Sequence, residues 1–351
     1  MSQPRFQAHF GGPDRPQALR QLLTRRLAAV PAGGQVAWVT YYFRDRPLAR
    51  DLLAAASRGV DVRLVLEGRP RIAQANAAVI ALLSATGGLG DGLRTIAMRG
   101  IPAPFGLAWK PQVHEKIYCF SAPVPVALMG SFNPSGDCPE ESPNALARIG
   151  DHHIAHNLLV EINDPDIVAC LAAHVRDLHQ NGPWLFWRRA PGSLRDADFG
   201  DTQLHFWPRR GPHPIECLLK SYGSGSRIRL AASHLRNPAF VTCLARLAAK
   251  GAQVEVLAEH TARRVPPRVE RRLTSAGVRI ARLGGADKVP MHLKFVLAET
   301  ADHHHTAFGS FNWTLPSYHL NHEVGIITRD TSLFEQLDRH WESLCPVDWH
   351  D

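Results

Sequence analysis

His114 and Lys116, followed by Gly130-Ser131-Phe132-Asn133, form a phrase that the chain repeats as His292 and Lys294 followed by Gly309-Ser310-Phe311-Asn312. Two imidazoles, two ammonium groups and two Ser/Asn pairs are the equipment needed to hold and cleave a phosphodiester without a metal. A neutral imidazole can attack phosphorus and hold it as a phosphoramidate, which splits one difficult displacement into two easier ones. A second imidazole can protonate the leaving oxygen and then activate water or an alcohol. Lysine ammonium groups, serine hydroxyls and asparagine amides suit the non-bridging oxygens, over which the transition state spreads its charge. One phrase supplies half of this set, so both copies must face a shared cleft.

The elements that carry the phrases are themselves duplicated. Val36 to Arg44 and Gly59 to Glu67 superimpose without gaps on Ile228 to Arg236 and Gly251 to Glu259, and His156 to Asp164 matches His322 to Asp330. Three collinear blocks point to one ancestral unit used twice. In each half an apolar, β-branched segment leads into a helical stretch, Pro47 to Ser57 or Pro238 to Lys250. A glycine ends that helix and a second strand follows, Val62 to Leu66 or Val254 to Leu257. Strand, helix, strand in this order implies parallel pairing and an α/β class. A further helical stretch comes next, Ile72 to Ser84 or Val269 to Ser275, then the His/Lys strand and a hairpin returning through Gly-Ser-Phe-Asn.

Alternation along a strand puts His114, Lys116 and Tyr118 on one face, and His292, Lys294 and Val296 likewise, so each histidine and its lysine can grip one phosphate. Ser131, Ser310, Gly130 and Gly309 are expected at the phosphate, the glycines because a missing Cβ permits close backbone approach. No Gly-x-Ser-x-Gly elbow surrounds either serine, which argues against a serine nucleophile. The first half spans residues 1–182, the stretch 183–203 reads as a linker, and 204–351 form the second half. The loop from Pro134 to Asp151 and the segment Gly87 to Lys110 are candidate substrate-facing insertions.

Bulk composition narrows the partners. The chain has 351 residues, 45% of them hydrophobic, enough for a sizeable core. A formal charge of +8 favours an anionic partner, whether a nucleic acid or an anionic membrane surface. Only six of the 40 basic residues are lysines, and two of those six are Lys116 and Lys294, where a compact ammonium is wanted rather than a broad guanidinium. No apolar run approaches the ~18 residues of a membrane span, and the start lacks a signal-peptide core. The expected location is the cytoplasm, with peripheral contact at the inner membrane surface compatible with the charge. Six cysteines without CxxC pairing read as reduced thiols.

The pattern His-x-Lys, a hairpin, then Gly-Ser-x-Asn, once in each half, resembles the phospholipase D superfamily of phosphodiesterases and phosphatidyltransferases. The resemblance covers nearly the whole chain. It implies two related halves, each a mixed β-sheet flanked by helices, packed as a pseudo-two-fold α-β-α-β-α fold with one active site between them. It also implies a covalent phosphohistidine, with His114 as nucleophile and His292 as general acid/base, assisted by Lys116, Lys294, Asn133 and Asn312. The family places an Asp after the lysine; here Glu299 stands there in the second copy and Ser121 in the first. A carboxylate after the Asn, which orients a catalytic imidazole, is Glu323 in the second half, and Asn157 aligns with it in the first. The histidine that Glu323 reaches should be the more basic one, because an amide cannot stabilise an imidazolium electrostatically. Which histidine that is stays open in the sequence.

The implied substrate is an anionic phosphodiester, phospholipid ahead of nucleic acid, with no cofactor, no metal and no obligate protein partner. Two copies in one chain favour the lipid enzymes, whereas Gly309-Ser-Phe-Asn-Trp-Thr314 is close to the form in small nuclease-like members. A metal-independent endonuclease is therefore the alternative, and an inactive anion-binding module a further one. Runs of adjacent histidines, His152, His153 and His156 or His303 to His305, lack the convergent spacing of zinc sites. Trp184, Trp187 and Trp207 with Arg188, Arg189, Arg209 and Arg210 read first as packing between halves, and Arg263 to Arg272 first as an exposed helix face with anion steering second.

Overall fold

A computed structural model describes residues 4–102, 108–135, 152–184, 196–209, 211–284, 289–346 and 349. The first half contributes β1 (Phe6–Gly11), α1 (Ala18–Ala28), β2 (Gln35–Thr40), α2 (Arg46–Ser57), β3 (Asp61–Glu67), α3 (Ala77–Ser84) and β4 (Leu93–Ile96). Two short strands, β5 (Ile101–Pro102) and β6 (Ala108–Trp109), pair with each other. β7 (Ile117–Phe120), β8 (Val126–Gly130), β9 (Asn157–Ile162) and α4 (Pro165–Asn181) follow. The second half repeats the plan with β10 (Ala197–Asp198), β11 (Thr202–Trp207), α5 (Pro214–Leu219), β12 (Arg227–Ala232), α6 (Pro238–Ala249), β13 (Gln253–Glu259), α7 (Pro267–Thr274) and β14 (Arg279–Leu283). It closes with β15 (Lys294–Glu299), β16 (His304–Gly309), α8 (Leu315–His319), β17 (Glu323–Thr328) and α9 (Thr331–Leu344).

The expected parallel units are present: β2 pairs with β3 and β12 with β13, both parallel. α2 and α6 start at side-chain caps, Asp45 accepting from the Leu48 N–H and Asn237 from the Ala239 N–H, with proline in the first turn. Both helices give way to a glycine at positive φ, Gly59 and Gly251, each at 89°. Antiparallel strands complete two mixed sheets, ordered β1-β9-β8-β7-β2-β3-β4 and β10-β11-β17-β16-β15-β12-β13-β14. The edge-side strands β1 and β11 are absent from the sequence reading. They pair antiparallel with β9 and β17, and β11 begins inside the stretch read as linker.

Three cores stack through the molecule. α1, α2 and α3 cover one face of the first sheet, and α5, α6 and α7 cover one face of the second. Between the sheets lies a third core that includes α4 and α9, giving the α-β-α-β-α order. α4 buries Ile167, Leu171, His174, Val175 and Leu178, and α9 buries Leu333, Phe334, Leu337 and Trp341, at the spacing of one helical face. Each such apolar side chain contributes roughly 2 kcal/mol of transfer free energy. The two sheets are thus held at a fixed separation by the helices that follow β9 and β17. That fixes how the two His/Lys phrases meet.

Candidate functional site

Short backbone bridges join the halves where the phrases begin. Val113 bridges to His322, the His114 N–H donating to the His322 carbonyl at 2.9 Å and the His322 N–H to the Gln112 carbonyl at 2.8 Å. The second bridge, His156 to Met291, repeats the pattern: the His156 N–H donates to the Pro290 carbonyl and the His292 N–H to the His156 carbonyl, both at 2.9 Å. Each histidine is thereby laid beside the residue that follows the bridge in the opposite half. His114 Nδ1 lies 2.9 Å from Glu323 Oε2, and His292 Nδ1 lies 2.9 Å from Asn157 Oδ1. The support is crossed: neither half holds its own histidine.

The Ser-Phe-Asn triplets follow the strand ends rather than continuing the strands, because β8 and β16 stop at Gly130 and Gly309. A Cβ on either glycine would come within 2.3 Å of a neighbouring-strand carbonyl, Leu158 for Gly130 and Val324 for Gly309. The glycines therefore serve close packing of β9 and β17, not approach to an anion. The serines differ from expectation too. Ser131 Oγ accepts from the Leu158 N–H and donates to Asn157 Oδ1, each at 2.9 Å. Ser310 Oγ accepts from the Val324 N–H at 3.1 Å and donates to Glu323 Oε2 at 2.6 Å. Both hydroxyls are buried, absent from the cleft's described lining, and orient the residue that orients a histidine, where the sequence suggested a phosphate ligand.

Lys116 Nζ donates to the His114 carbonyl at 2.6 Å and Lys294 Nζ to the His292 carbonyl at 2.8 Å, so each ammonium sits beneath the histidine of its own phrase. Lys116 precedes β7 and Lys294 opens β15. Glu299 is not part of this group. It ends β15, at the far end from Lys294, and pairs with the buried Arg229, which also pairs with Asp338 on α9. Its place after the lysine serves the link between sheet and helix. Ser121 is likewise remote from the phrase's chemistry, accepting from the Gln35 N–H at 2.7 Å.

His114, His292, Asn133 and Asn312 line one cleft of about 430 Å³. Five arginines share it, Arg71, Arg236, Arg263, Arg264 and Arg268, and no Asp or Glu is among its described lining residues. The Arg263 to Arg272 stretch is thus divided, with Arg263, Arg264 and Arg268 lining the cleft. The rest of the aromatic and basic patch is mostly packing. Trp184 lies against His322, with ring centroids 4.1 Å apart, Trp207 is buried in the second half, and Arg209 pairs with Asp196. Trp187, Arg188, Arg189, Arg210 and the loop from residue 136 to Asp151 lie outside the described residues.

Several residues in or behind the cleft are not singled out as functional by the sequence. Glu67 Oε2 accepts the Val113 N–H at 2.8 Å and Glu259 Oε2 accepts the Met291 N–H at 2.7 Å, so a buried acid from each repeat pins the backbone just before each histidine. Their identity in both copies at the ends of β3 and β13 was the available signal. Beyond β2 and β12 the copies diverge: Tyr41 and Tyr42 line the cleft in the first half, and His234 does so in the second. Tyr41 packs on the His114 ring at 4.8 Å, and the Lys116 ammonium lies 5.4 Å from the Tyr41 ring centre.

Burial pushes His114 below the usual imidazole range, with Glu323 opposing that shift and Lys116 reinforcing it. Burial drives His292 well below the same range, and the charges acting most on it, Lys294, Lys116, Arg264 and His114, all push the same way. Burial alone would raise the Glu323 carboxyl, but His114, Lys116 and the Ser310 hydroxyl outweigh it and keep the group ionised. His234 is also held well below its ordinary value, by burial and then by Arg264 and Lys294. The three cleft imidazoles are therefore neutral at neutral pH, and one of them carries a carboxylate on Nδ1.

The family model for the cardiolipin synthase, PLD-like domain, matches residues 31–165 and again 218–345, once per half. No curated protein matches the chain. Among solved structures, the polyphosphate kinase of Porphyromonas gingivalis aligns over 96% of this chain with a TM-score of 0.61 and 14% identity. This chain spans about half of that kinase, 50% of its length. The phosphatidylserine synthase of Haemophilus influenzae Rd KW20 aligns over 95% of this chain and 85% of its own, with a TM-score of 0.60 and 13% identity. Yeast tyrosyl-DNA phosphodiesterase aligns over 92% and 89%, with a TM-score of 0.51 and 9% identity. At these identities the likeness is one of fold.

Proposed function

This chain belongs to the cardiolipin synthase, PLD-like domain family of the phospholipase D superfamily, and from that premise we propose that it is a phosphodiesterase or phosphatidyltransferase working through a phosphohistidine on His114. The observation that carries the reading is the crossed pair, His114 on Glu323 and His292 on Asn157, opening into one arginine-lined cleft. With Nδ1–H donated to Glu323, the His114 Nε2 lone pair is the ring nitrogen available to phosphorus. As His114 attacks, the N–P bond forms and the P–O bond to the leaving group breaks. The electron pair of the broken bond departs on that oxygen, which takes up a proton through His292, and the Glu323 carboxylate stabilises the positive charge left on the His114 ring. Neutral His292 then takes the proton of the incoming water or alcohol as that oxygen attacks phosphorus and the N–P bond breaks. In this reading the Lys116 and Lys294 ammonium groups and the Asn133 and Asn312 amides serve the non-bridging oxygens.

A phospholipid is the favoured substrate. Leu315, one of the two large exposed hydrophobic residues among those described, stands on the cleft wall with Pro238 and Pro316, an apolar lip beside a basic floor. Among the described residues no helix is long and apolar enough to cross a membrane. Nucleic acid is the second reading, supported by the five arginines of the cleft.

Turnover of labelled phosphatidylglycerol vesicles and of single- and double-stranded DNA and RNA, each in EDTA, tests both. Lipid products lost in His114→Ala and His292→Ala support the lipid enzyme, whereas nucleic-acid cleavage alone moves the protein to the nucleases. Alkaline quenching should trap a labelled adduct in wild type and none in His114→Ala. A normal adduct in that variant would remove His114 as nucleophile, and no turnover of any phosphodiester would leave an anion-binding module.

A further inference from the structure

Away from the cleft, the two halves treat one equivalent place in opposite ways. β1 and β11 carry the same residues in the same register, Gln7, His9 and Phe10 against Gln203, His205 and Phe206. In the first half Gln7 lies opposite Glu161 on β9. That carboxylate pairs with Arg26 from α1 and lies 3.5 Å from His9 Nε2. Burial alone would raise the Glu161 carboxyl, but His9 and Arg26 outweigh it and hold the group at about 2, so the place is built around a carboxylate.

The second half has the imidazole without the carboxylate. Ile327 on β17 lies opposite Gln203, where Glu161 lies opposite Gln7. The covering helix is shorter as well, six residues in α5 against eleven in α1. A cavity of about 500 Å³ stands there, and it shares no described lining residue with the arginine-lined cleft. His205 Nδ1 lies 3.0 Å from Asp196 Oδ2, while its Nε2 has no hydrogen-bond partner among the described residues. Arg209 also pairs with Asp196, and Asp201, the one carboxylate of the described lining, is taken by Arg5. Arg329 lines the cavity, is exposed, and makes no ion pair among the described residues. Leu218 and Ile327 make part of the wall apolar. A cationic group beside an apolar wall, in a volume typical of small-molecule sites, suits a carboxylate on an apolar body, because a guanidinium grips the planar anion at two points.

We propose that this cavity is a second ligand site, taking a small organic carboxylate whose charged group meets Arg329 and stands in for Glu161 of the first half. The apolar part of the ligand lies on Leu218 and Ile327. Binding is association alone, with no bond made or broken, and it is independent of the reaction proposed for the cleft.

Cys217 is exposed and belongs to the same lining, so its reactivity reports occupancy. The full chain is alkylated with N-ethylmaleimide at rising octanoate, and the rate at each thiol is read by peptide mass spectrometry, with Cys170 and Cys243 as internal controls. Octanoate should slow Cys217 saturably and leave the controls unchanged, whereas 1-octanol and inorganic phosphate at equal concentration should protect far less. Arg329→Ala should raise the half-saturating octanoate concentration about tenfold or more, the usual worth of a hydrogen-bonded charge. Ile327→Glu, which places a carboxylate where the first half has one, should abolish the protection. Protection by octanol or phosphate equal to that by octanoate, no saturable protection, or an unshifted half-saturation in a normally folded Arg329→Ala would overturn the inference. The contrast between octanoate and octanol on wild type decides the matter even if Ile327→Glu folds poorly.

Discussion

Replacing Glu323 by Gln tests the crossed support most directly. The substitution keeps size and one acceptor for the His114 Nδ1–H, now 2.9 Å from Oε2, and removes the charge. Taking the charge centres as ~4 Å apart and an effective dielectric of about 20, the carboxylate stabilises a cationic His114 ring by ~4 kcal/mol. At 1.36 kcal/mol per decade this corresponds to about a 10³-fold loss in the rate of phosphohistidine formation. The pH profile should move in a defined direction. Burial already depresses His114, and Glu323 partly offsets this. Without the carboxylate the histidine protonates only at lower pH, so the acid limb of kcat/KM moves down while the plateau falls. Single-turnover adduct formation across pH is the assay, with thermal unfolding as the control for the lost Ser310 contact. A loss under tenfold with an unmoved acid limb, in a variant that folds normally, would refute the assignment of Glu323 to His114.

The backbone clamp makes a prediction of stability. Burial raises the Glu67 carboxyl to about 7, against its contacts with the Arg69 and Val113 N–H groups. The folded state then holds a proton that the unfolded state has lost between pH ~4.5 and 7, so this group's contribution to stability falls as pH rises through that window, by roughly 3 kcal/mol. Denaturant unfolding of wild type and Glu67→Gln at pH 5 and 8 should show the difference narrowing in the variant's favour at pH 8; a constant difference would contradict it. Arg236→Ala or Arg268→Ala should raise KM several-fold with kcat nearly unchanged, and the salt dependence of kcat/KM should weaken in each. Gly130→Ala, whose Cβ would meet the Leu158 carbonyl at 2.3 Å, should cost about 3 kcal/mol in denaturant unfolding and lower activity by displacing Ser131 from Asn157.

What the sequence revealed follows from what repetition preserves. Strand, helix and strand with a glycine stop at Gly59 and Gly251 are local patterns, and both halves carry them, so the parallel units could be read directly. β1 and β11 could not, since their place is fixed only by antiparallel pairing with β9 and β17, far away in sequence. At the site the residue types were legible and some roles were not. Ser131 and Ser310 look like phosphate ligands until β9 and β17 are seen to donate their Leu158 and Val324 N–H groups to them. Glu299 occupies a motif position by spacing, but five residues of extended strand carry it away from Lys294 to Arg229. Of the cleft arginines, Arg236 closes a repeated block opposite Arg44, but nothing in the repeat marks it as facing a cleft, and the packing of the two halves gathers the five.

Crossed support also explains how one duplicated site can become asymmetric. In an assembly of two identical chains, every histidine would meet the same partner, and a change from carboxylate to amide would alter both at once. Here the partner of His114 is encoded at position 323 and that of His292 at position 157, so each can change alone. The scaffold around them is kept equal. Ser131 and Ser310 hold the two partners in the same way, Glu67 and Glu259 pin the two backbones, and the bridges at Val113 and Met291 set both rings at 2.9 Å from their supports. With geometry fixed, the difference between Glu323 and Asn157 acts as a difference in charge alone. On the proposed phosphohistidine route it would leave one imidazole able to carry a positive charge and the other able to receive a proton, a division of labour that two identical supports would not impose.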